Sequence, residues 1–286
     1  MPANAMHPLS QRIHEAARRE IPLVMGILNV TPDSFSDGGR FQGVEAALAH
    51  ARRMVAEGAD LLDVGGESTR PGAEPVDADQ ELERVVPVIE SITAELDVPI
   101  SIDTMKPEVM RGAVAAGAAM INDVNGLRAE GAIEAAAELG VPVCLMHMQG
   151  EPRTMQDAPT YQDVTEDLLG FFRERIRDCT DAGIVAANLV LDPGFGFGKT
   201  LDQNLQLLAD LRHFAGLGHP LLIGISRKSM LGTITGRKQA EDRVAASVAA
   251  ALLAAERGGN ILRVHDVAET VDAVRVLAAL RERGRT

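Results

Sequence analysis

The sequence has 286 residues, of which 46% are hydrophobic and 24% are charged, a composition typical of a globular protein and not of a disordered or low-complexity chain. Its formal net charge of -13 argues against a general nucleic-acid binder or membrane-surface binder, because both of those partners are anionic and would repel it. Any anionic ligand therefore needs a local cluster of cationic side chains.

Residues 1–20 contain several charged side chains and no long apolar run, so we expect a peripheral N-terminal segment and neither a signal peptide nor a membrane anchor. The two cysteines, Cys144 and Cys179, are too few for a disulfide framework and lack the spacing of metal ligands. This cysteine usage favours a reducing, cytoplasmic location.

Eight short apolar segments rich in β-branched residues recur along the chain, separated by helix-like stretches rich in Ala, Glu, Leu and Arg. They are LVMGILNV from Leu23, LLDVGG from Leu61, PISIDT from Pro99, MINDV from Met120, PVCLMH from Pro142, NLVLDPG from Asn188, PLLIGIS from Pro220 and ILRVHD from Ile261. Such a pattern predicts parallel strands covered by helices, because a parallel connection has to cross back over the sheet. We predict an α/β fold, a (β/α)8 TIM barrel in a single domain over 1–286; a doubly wound open sheet is the alternative.

Each predicted strand begins with apolar residues and ends in a polar or charged one. The strand-end residues are Asn29, Asp63, Asp103, Asn122, His147, Asp192, Ser226, Arg263 and His265. Unpaired amides and carboxylates cost several kcal/mol when they are buried in an apolar core, so we expect them to meet water, a ligand or a metal. In a barrel that place is the C-terminal rim of the strands.

Alternation along the strands places Ser101 and Asp103 on one face of their strand, and Arg263 and His265 on one face of theirs. The alternative interpretation is that such residues merely cap strands and begin turns. It is adequate for any one of them, but it does not explain two inward-facing cations on the last strand. Together with Arg227 and Lys228, which follow strand seven, these cations predict a phosphate-binding site after strands seven and eight.

Three further features leave alternatives open. Lys199, in the segment FGFGK, fits a solvated loop lysine as well as it fits a ligand contact. The segments NVTPDSFSDGG and GGESTRPGAEPV look like flaps beside the barrel mouth; Phe35 suits ring stacking or plain packing, and Arg70 suits binding of an anion. The Ala-rich stretch from Ala245 to Ala255 suits either core packing or a contact with a second subunit, and we expect a homodimer.

Taken in order, NVTPDSFSDGG, GGESTRPGA, SIDT, INDV, LDPGFGFGK, SRKS and RVHD resemble the dihydropteroate synthase family from about Leu23 to the last helix. The resemblance implies a transferase that joins a dihydropterin pyrophosphate to p-aminobenzoate with loss of pyrophosphate, in folate biosynthesis. The substrates are small molecules, and no nucleic acid or membrane is expected as a partner.

The resemblance also implies a role for individual residues. It assigns the pterin to Asp103, Asn122, Asp192 and Lys228. It assigns the pyrophosphate to Asn29, Thr69, Arg70, Arg263 and His265, with Asn29 also a ligand of Mg²⁺. It assigns p-aminobenzoate to Phe35, Arg70, Pro71, Phe197 and Ser229. The residues expected to be catalytic are Asp103, Lys228, Arg263 and His265, which stabilise charge while the neutral amine attacks.

Three other functions remain to be weighed. A pterin-dependent methyltransferase shares the barrel and the pterin pocket, but it does not need two flaps for an amine substrate. A non-catalytic paralogue that binds pterin is the second. A lysine-based aldolase, with Lys228 forming a Schiff base, is the third.

Overall fold

The computed structural model describes residues 6–30, 39–68, 74–150, 155 and 159–284, and within them eight parallel strands close into one barrel in sequence order. The strands are β1 (Leu23–Asn29), β2 (Leu61–Gly65), β3 (Ile100–Asp103), β4 (Met120–Asp123), β5 (Val143–Met146), β6 (Leu189–Asp192), β7 (Leu221–Ile223) and β8 (Gly259–Val264). Pairing of β8 with β1, which sets Arg263 beside Met25, closes the barrel. The predicted TIM barrel is confirmed, and the open-sheet alternative is wrong.

Helices connect successive strands around the outside of the barrel. They are α2 (Gly39–Glu57), α3 (Ala78–Glu95), α4 (Pro107–Ala115), α5 (Ala132–Leu139), α6 (Val164–Asp181), α7 (Leu201–Ala209), α8 (Leu211–Ala215), α9 (Ser229–Thr235), α10 (Val244–Glu256) and α11 (Val267–Arg283), preceded by α1 (Pro8–Arg19). Short 3-10 turns lie at Ala186–Asn188 and Glu241–Arg243. Within the described ranges, no helix combines the length and the apolar character needed to cross a membrane.

The two faces of each strand enter different apolar layers. Outward residues such as Leu62 and Ile102 belong to the large core shared with the surrounding helices. Inward residues such as Met25, Leu61 and Cys144 form a separate cluster inside the barrel. This division follows from the period of two in an extended chain, which sends successive side chains to opposite faces.

Helix α1 covers the N-terminal end of the barrel, opposite the ends of the strands that carry the polar residues. Its buried residues Leu9 and Ile13 join the cluster inside the barrel. The His7 side chain accepts a hydrogen bond from the amide of Leu9, and Pro8 occupies the first helical position, where no amide donor is needed. Residues 6–20 of the segment expected at the periphery therefore close the end of the barrel away from the polar rim.

Candidate functional site

An ion-paired network lies inside the C-terminal end of the barrel. Arg263 donates from Nε to Asp63 Oδ2 at 2.6 Å and from Nη2 to Asp103 Oδ2 at 2.7 Å. Asn122 Nδ2 donates to the same Asp63 oxygen at 3.1 Å. These side chains meet because Asp63 lies beside Ser101 and Asp103 beside Asn122 in the strand register, each on an inward position. Three of the predicted site residues thus belong to one network, anchored on a fully buried carboxylate.

Asp192 and Lys228 lie beside this network at the mouth of the barrel, where each affects the other's pKa and Lys228 also interacts with Arg263 and Asp103. A Cβ atom added at Gly224 would lie 3.8 Å from Asp192 Oδ2 and 4.0 Å from Arg263 Cδ. Because Gly224 has no side chain, the space between Asp192 and Arg263 at this position is left open. The two residues therefore border the same space beside Gly224.

Burial sets the electrostatics of these groups. It raises the pKa of Asp103 to about 7, with Asp63 adding to the shift and Arg263 opposing it. Burial likewise raises the pKa of Asp192, while Lys228 and the Gly194 amide oppose the change. Loss of solvent lowers the pKa of Lys228 to about 8 although Asp192 favours its charged form. Asp103 and Lys228 therefore both change protonation state close to neutral pH.

The pKa of Arg263 is shifted in the opposite sense. Burial alone would lower it, but the carboxylates of Asp63 and Asp103 outweigh burial and raise it. The guanidinium is a permanent positive charge beside two acids, one of which titrates near neutrality.

Lys228 is held by the loop that follows β6. Its Nζ donates to the Phe195 carbonyl and lies 4.3 Å from the centre of the Phe197 ring. Phe197 thus lies at the mouth beside Lys228, and its contact with p-aminobenzoate stays a prediction. Ser229 follows Lys228 as the first residue of α9 and is exposed.

The remaining predicted residues of the described chain lie at the same end. His265 follows β8, and its Nδ1 lies 3.0 Å from Ser226 Oγ, which also accepts from the His265 amide at 3.2 Å. Asn29 is exposed at the last position of β1. Arg227, which sequence reasoning grouped with the cations of the mouth, instead forms an ion pair with Asp266.

Four predicted residues, Phe35, Thr69, Arg70 and Pro71, lie outside the described residues, so their roles stay predictions. No group of three or more His, Cys, Asp or Glu side chains placed to hold a metal ion occurs in the described part of the chain.

Two residues have structural roles that sequence reasoning missed. Asp63 was recognised only as one of the polar strand ends, yet it anchors Arg263 and Asn122. Its position two residues after Leu61, which also points inward, was the available signal. Lys199 is only 3% exposed, so its interpretation as a solvated loop lysine is wrong. No local pattern distinguishes a buried lysine from an exposed one in a glycine-rich segment.

Comparisons with known proteins agree with this geometry. A family model described as "Pterin binding enzyme" matches residues 25–265. The chain is 54% identical to the dihydropteroate synthase of Escherichia coli strain K12 over 258 residues, which cover 90% of this chain and 91% of that protein.

Two solved structures of Xanthomonas albilineans dihydropteroate synthase are similar as well. The one with 4-aminobenzoic acid is 58% identical with a TM-score of 0.87, covering 92% of this chain and 94% of that chain. The one in complex with 7,8-dihydropteroate is 55% identical with a TM-score of 0.84, covering 92% and 95% respectively.

Proposed function

This chain belongs to the dihydropteroate synthase family, and from that premise we propose how the side chains at its barrel mouth perform the family's reaction. The enzyme is a transferase that condenses 6-hydroxymethyl-7,8-dihydropterin pyrophosphate with p-aminobenzoate. The products are 7,8-dihydropteroate and pyrophosphate, in folate biosynthesis. The methyltransferase, non-catalytic and aldolase alternatives are set aside by this membership.

In our proposal the pterin binds against Asp103, Asn122, Asp192 and Lys228. Carboxylates accept hydrogen bonds from the amino and ring N–H groups of the heterocycle, and the Asn122 amide both donates and accepts. Lys228 donates to a ring oxygen or nitrogen. The shared space beside Gly224 supports this arrangement because it joins Asp192 to the network around Arg263.

Pyrophosphate is proposed to bind at Arg263 and His265, together with Asn29, Thr69 and Arg70. A guanidinium offers five N–H donors, and the structure commits Nε and Nη2 of Arg263 to carboxylates. The three remaining N–H donors of the guanidinium are available to phosphate oxygens, so pyrophosphate can bind while Arg263 keeps its bonds to Asp63 and Asp103.

The p-aminobenzoate side is proposed to include Phe197 and Ser229, with Phe35, Arg70 and Pro71 from the two early flaps. Phe197 already lies against Lys228, so a ring stacked on it would sit beside the pterin. Arg70 is suited to the carboxylate of the substrate.

Magnesium is the proposed cofactor, with Asn29 as its protein ligand. The amide oxygen of Asn29 is a hard donor at the exposed end of β1. Mg²⁺ commonly binds through one or two protein oxygens, water and substrate phosphate oxygens, so this residue fits the ion. When bound, the ion would neutralise charge on the phosphates.

The reaction proceeds by cleavage of the bond between the pterin methylene carbon and the pyrophosphate oxygen, with formation of a carbon–nitrogen bond to the amine. The leaving oxygen carries away the electron pair, and Arg263 and His265 stabilise its charge. Asp103, when ionised, stabilises positive charge on the pterin ring. The attacking amine is already neutral, so it needs no strong base, and the proton that it loses after the new bond forms passes to the departing pyrophosphate.

The observation that carries the proposal is that acids and cations share one mouth. The test is pyrophosphate release with both substrates and with each omitted in turn. Release only with p-aminobenzoate present indicates a concerted or amine-gated reaction, whereas release from the pterin ester alone indicates prior ionisation. Absence of release with both substrates present contradicts the proposal.

We also propose a cytoplasmic homodimer. Leu253 on α10 and Val276 and Leu280 on α11 are exposed apolar side chains on adjacent helices, which suits a contact with a second copy. Light scattering of the wild type and of Leu280→Glu tests this, because a dimer through this face predicts that the variant is a monomer.

A further inference from the structure

Lys199 lies buried behind the glycine-rich loop 194–198, which connects β6 to α7. Its Nζ is 2.9 Å from both the Gly194 and the Phe197 carbonyl oxygens. It is also 3.4 Å from the His147 carbonyl oxygen and 3.1 Å from His147 Nδ1. One side chain therefore meets three backbone carbonyls and joins the end of β5 to this loop.

The loop adopts a backbone conformation, with positive φ angles, that only glycine tolerates well. Gly194, Gly196 and Gly198 have φ angles of +68°, +80° and +61°. A Cβ at Gly194 would come within 2.0 Å of the His147 carbonyl oxygen. Glycine permits this path but does not hold it, because its conformational freedom is the largest of any residue. Hydrogen bonds from outside the loop must hold it in place.

Other donors and acceptors complete the attachment of the loop. Tyr161 donates its hydroxyl to the Gly198 carbonyl at 2.8 Å. Asn204 accepts from the Gly196 amide at 2.7 Å and donates to the Lys199 carbonyl at 3.2 Å. Lys199, Tyr161 and Asn204 thus fix the side of the loop that faces away from Lys228.

The opposite side of the same loop faces Lys228 and the mouth of the barrel. Phe195 contributes its carbonyl oxygen to Lys228 Nζ, and Phe197 contributes its ring. Gly196, between them, allows close approach: a Cβ there would lie 3.1 Å from Lys228 Cδ. Any displacement of the loop would therefore displace the surroundings of Lys228.

We propose that Lys199 is a positioning residue of the pterin site: it holds loop 194–198 so that the Phe195 carbonyl and the Phe197 ring keep Lys228 in its binding position. This inference rests on the proposed role of Lys228 in binding the pterin. Lys199 is only 3% exposed and its Nζ contacts backbone carbonyls, so in this proposal it acts through the loop and not by contact with substrate.

A purely structural role for Lys199 would change stability alone. A positioning role also changes the titration of Lys228, whose pKa is lowered to about 8 by loss of solvent. When the loop loosens, water reaches the ammonium and its pKa rises toward the ordinary lysine value. Burial also lowers the pKa of Lys199 well below its ordinary value, and the charges of Lys199 and Lys228 repel each other. The pH dependence of pterin binding therefore separates the two roles when the same shift appears in Tyr161→Phe, which loosens the loop without removing a charge.

The experiment compares Lys199→Met, which keeps the length of the side chain and removes its donors, with Asn188→Ala. Asn188 is also buried and bonds to the His7 amide and to Ser10, at the opposite end of the barrel. Both variants are expected to lose stability on urea unfolding. Only Lys199→Met is expected to bind the pterin pyrophosphate more weakly, by about tenfold, the effect of losing one or two hydrogen bonds.

In calorimetric titrations over a pH series, the alkaline limit of pterin binding should move upward in Lys199→Met and stay at the wild-type position in Asn188→Ala. An unchanged affinity and an unchanged alkaline limit in Lys199→Met overturn the inference. Failure of the proposed site itself looks different, because the wild type would then bind no pterin ester, or Lys228→Met would retain the alkaline limit.

If Lys199→Met yields no folded protein, Tyr161→Phe decides the question. It removes a single donor to the same loop, so a weakening of about threefold and a smaller upward shift are expected. Wild-type binding and an unmoved alkaline limit in Tyr161→Phe would overturn the inference.

Discussion

The two ends of this barrel are built from the same eight strands but serve opposite purposes. At the N-terminal end, Leu9 and Ile13 of α1 pack on the apolar inner cluster. Asp60 there accepts from Arg12 and from the Val24 amide, while the buried His219 Nδ1 and Arg281 Nε at the same end lack a hydrogen-bond partner among the described residues. At the C-terminal end, charged side chains replace the apolar ones. Among the described residues, the buried atoms Asp63 Oδ1 and Ser101 Oγ have no hydrogen-bond partner there.

The difference shows where the fold carries an energetic cost. Closing the N-terminal end buries apolar surface and contributes to stability. Burial at the C-terminal end raises the pKa of Asp103 and lowers that of Lys228, so the charged forms of these two side chains are disfavoured relative to water. Substitutions at the two ends should therefore separate activity from stability.

The largest effect is expected for Asp103→Asn. Loss of its charge removes stabilisation of the cationic pterin, so kcat should fall by about 10²–10³-fold. The free energy of unfolding should stay near that of the wild type because Arg263 keeps its bond to Asp63. Steady-state kinetics and urea unfolding measure the two quantities. Near-normal turnover in this variant would contradict the assigned role of Asp103.

The converse variant is Ile13→Ala, which leaves a cavity where α1 closes the barrel. Ile13 is fully buried, so the free energy of unfolding should fall by about 2–5 kcal/mol. The folded fraction should retain kcat/KM within roughly twofold because the site lies at the other end. A fall in kcat/KM as large as that of Asp103→Asn would show that the two ends are coupled.

The pH dependence should show the cost of buried charge directly. The pKa of Asp103 is raised, so its carboxylate becomes protonated and activity falls as the pH drops below about 7. Lys228 has a lowered pKa and loses its proton, and activity, as the pH rises above about 8. We expect a narrow, bell-shaped dependence of kcat/KM on pH, in which kcat/KM changes about tenfold per pH unit on each limb. Limbs near the ordinary values, below about 5 and above about 10, would mean that solvent reaches both groups.

The smallest effect is expected for Asp60→Asn, the counterpart of Asp103→Asn at the N-terminal end. Asparagine loses the ion pair with Arg12 but can still accept from the Val24 amide, so unfolding should become easier by only about 1 kcal/mol. Thermal and urea unfolding measure this change. A loss of kcat/KM beyond roughly threefold would argue against the separation of the two ends.

Much of this protein was readable from its sequence. The eight apolar segments predicted the barrel, because hydrophobic periodicity is local and is set by the geometry of the extended chain. Alternation within a strand likewise placed Asp103 and Arg263 on inward positions. The sequence motifs, taken in their order along the chain, indicated the family, since several specific segments rarely occur in one order by chance.

Only the tertiary structure decided which of these polar residues touch. Arg263 and Asp63 lie 200 residues apart, and nothing local to either one specifies their contact. The same holds for the closure of the barrel by α1, for the pairing of Arg227 with Asp266 and for the burial of Lys199. The physical reason is that periodicity determines the face on which a side chain lies, whereas its partner and its loss of solvent depend on segments brought together by the closed sheet.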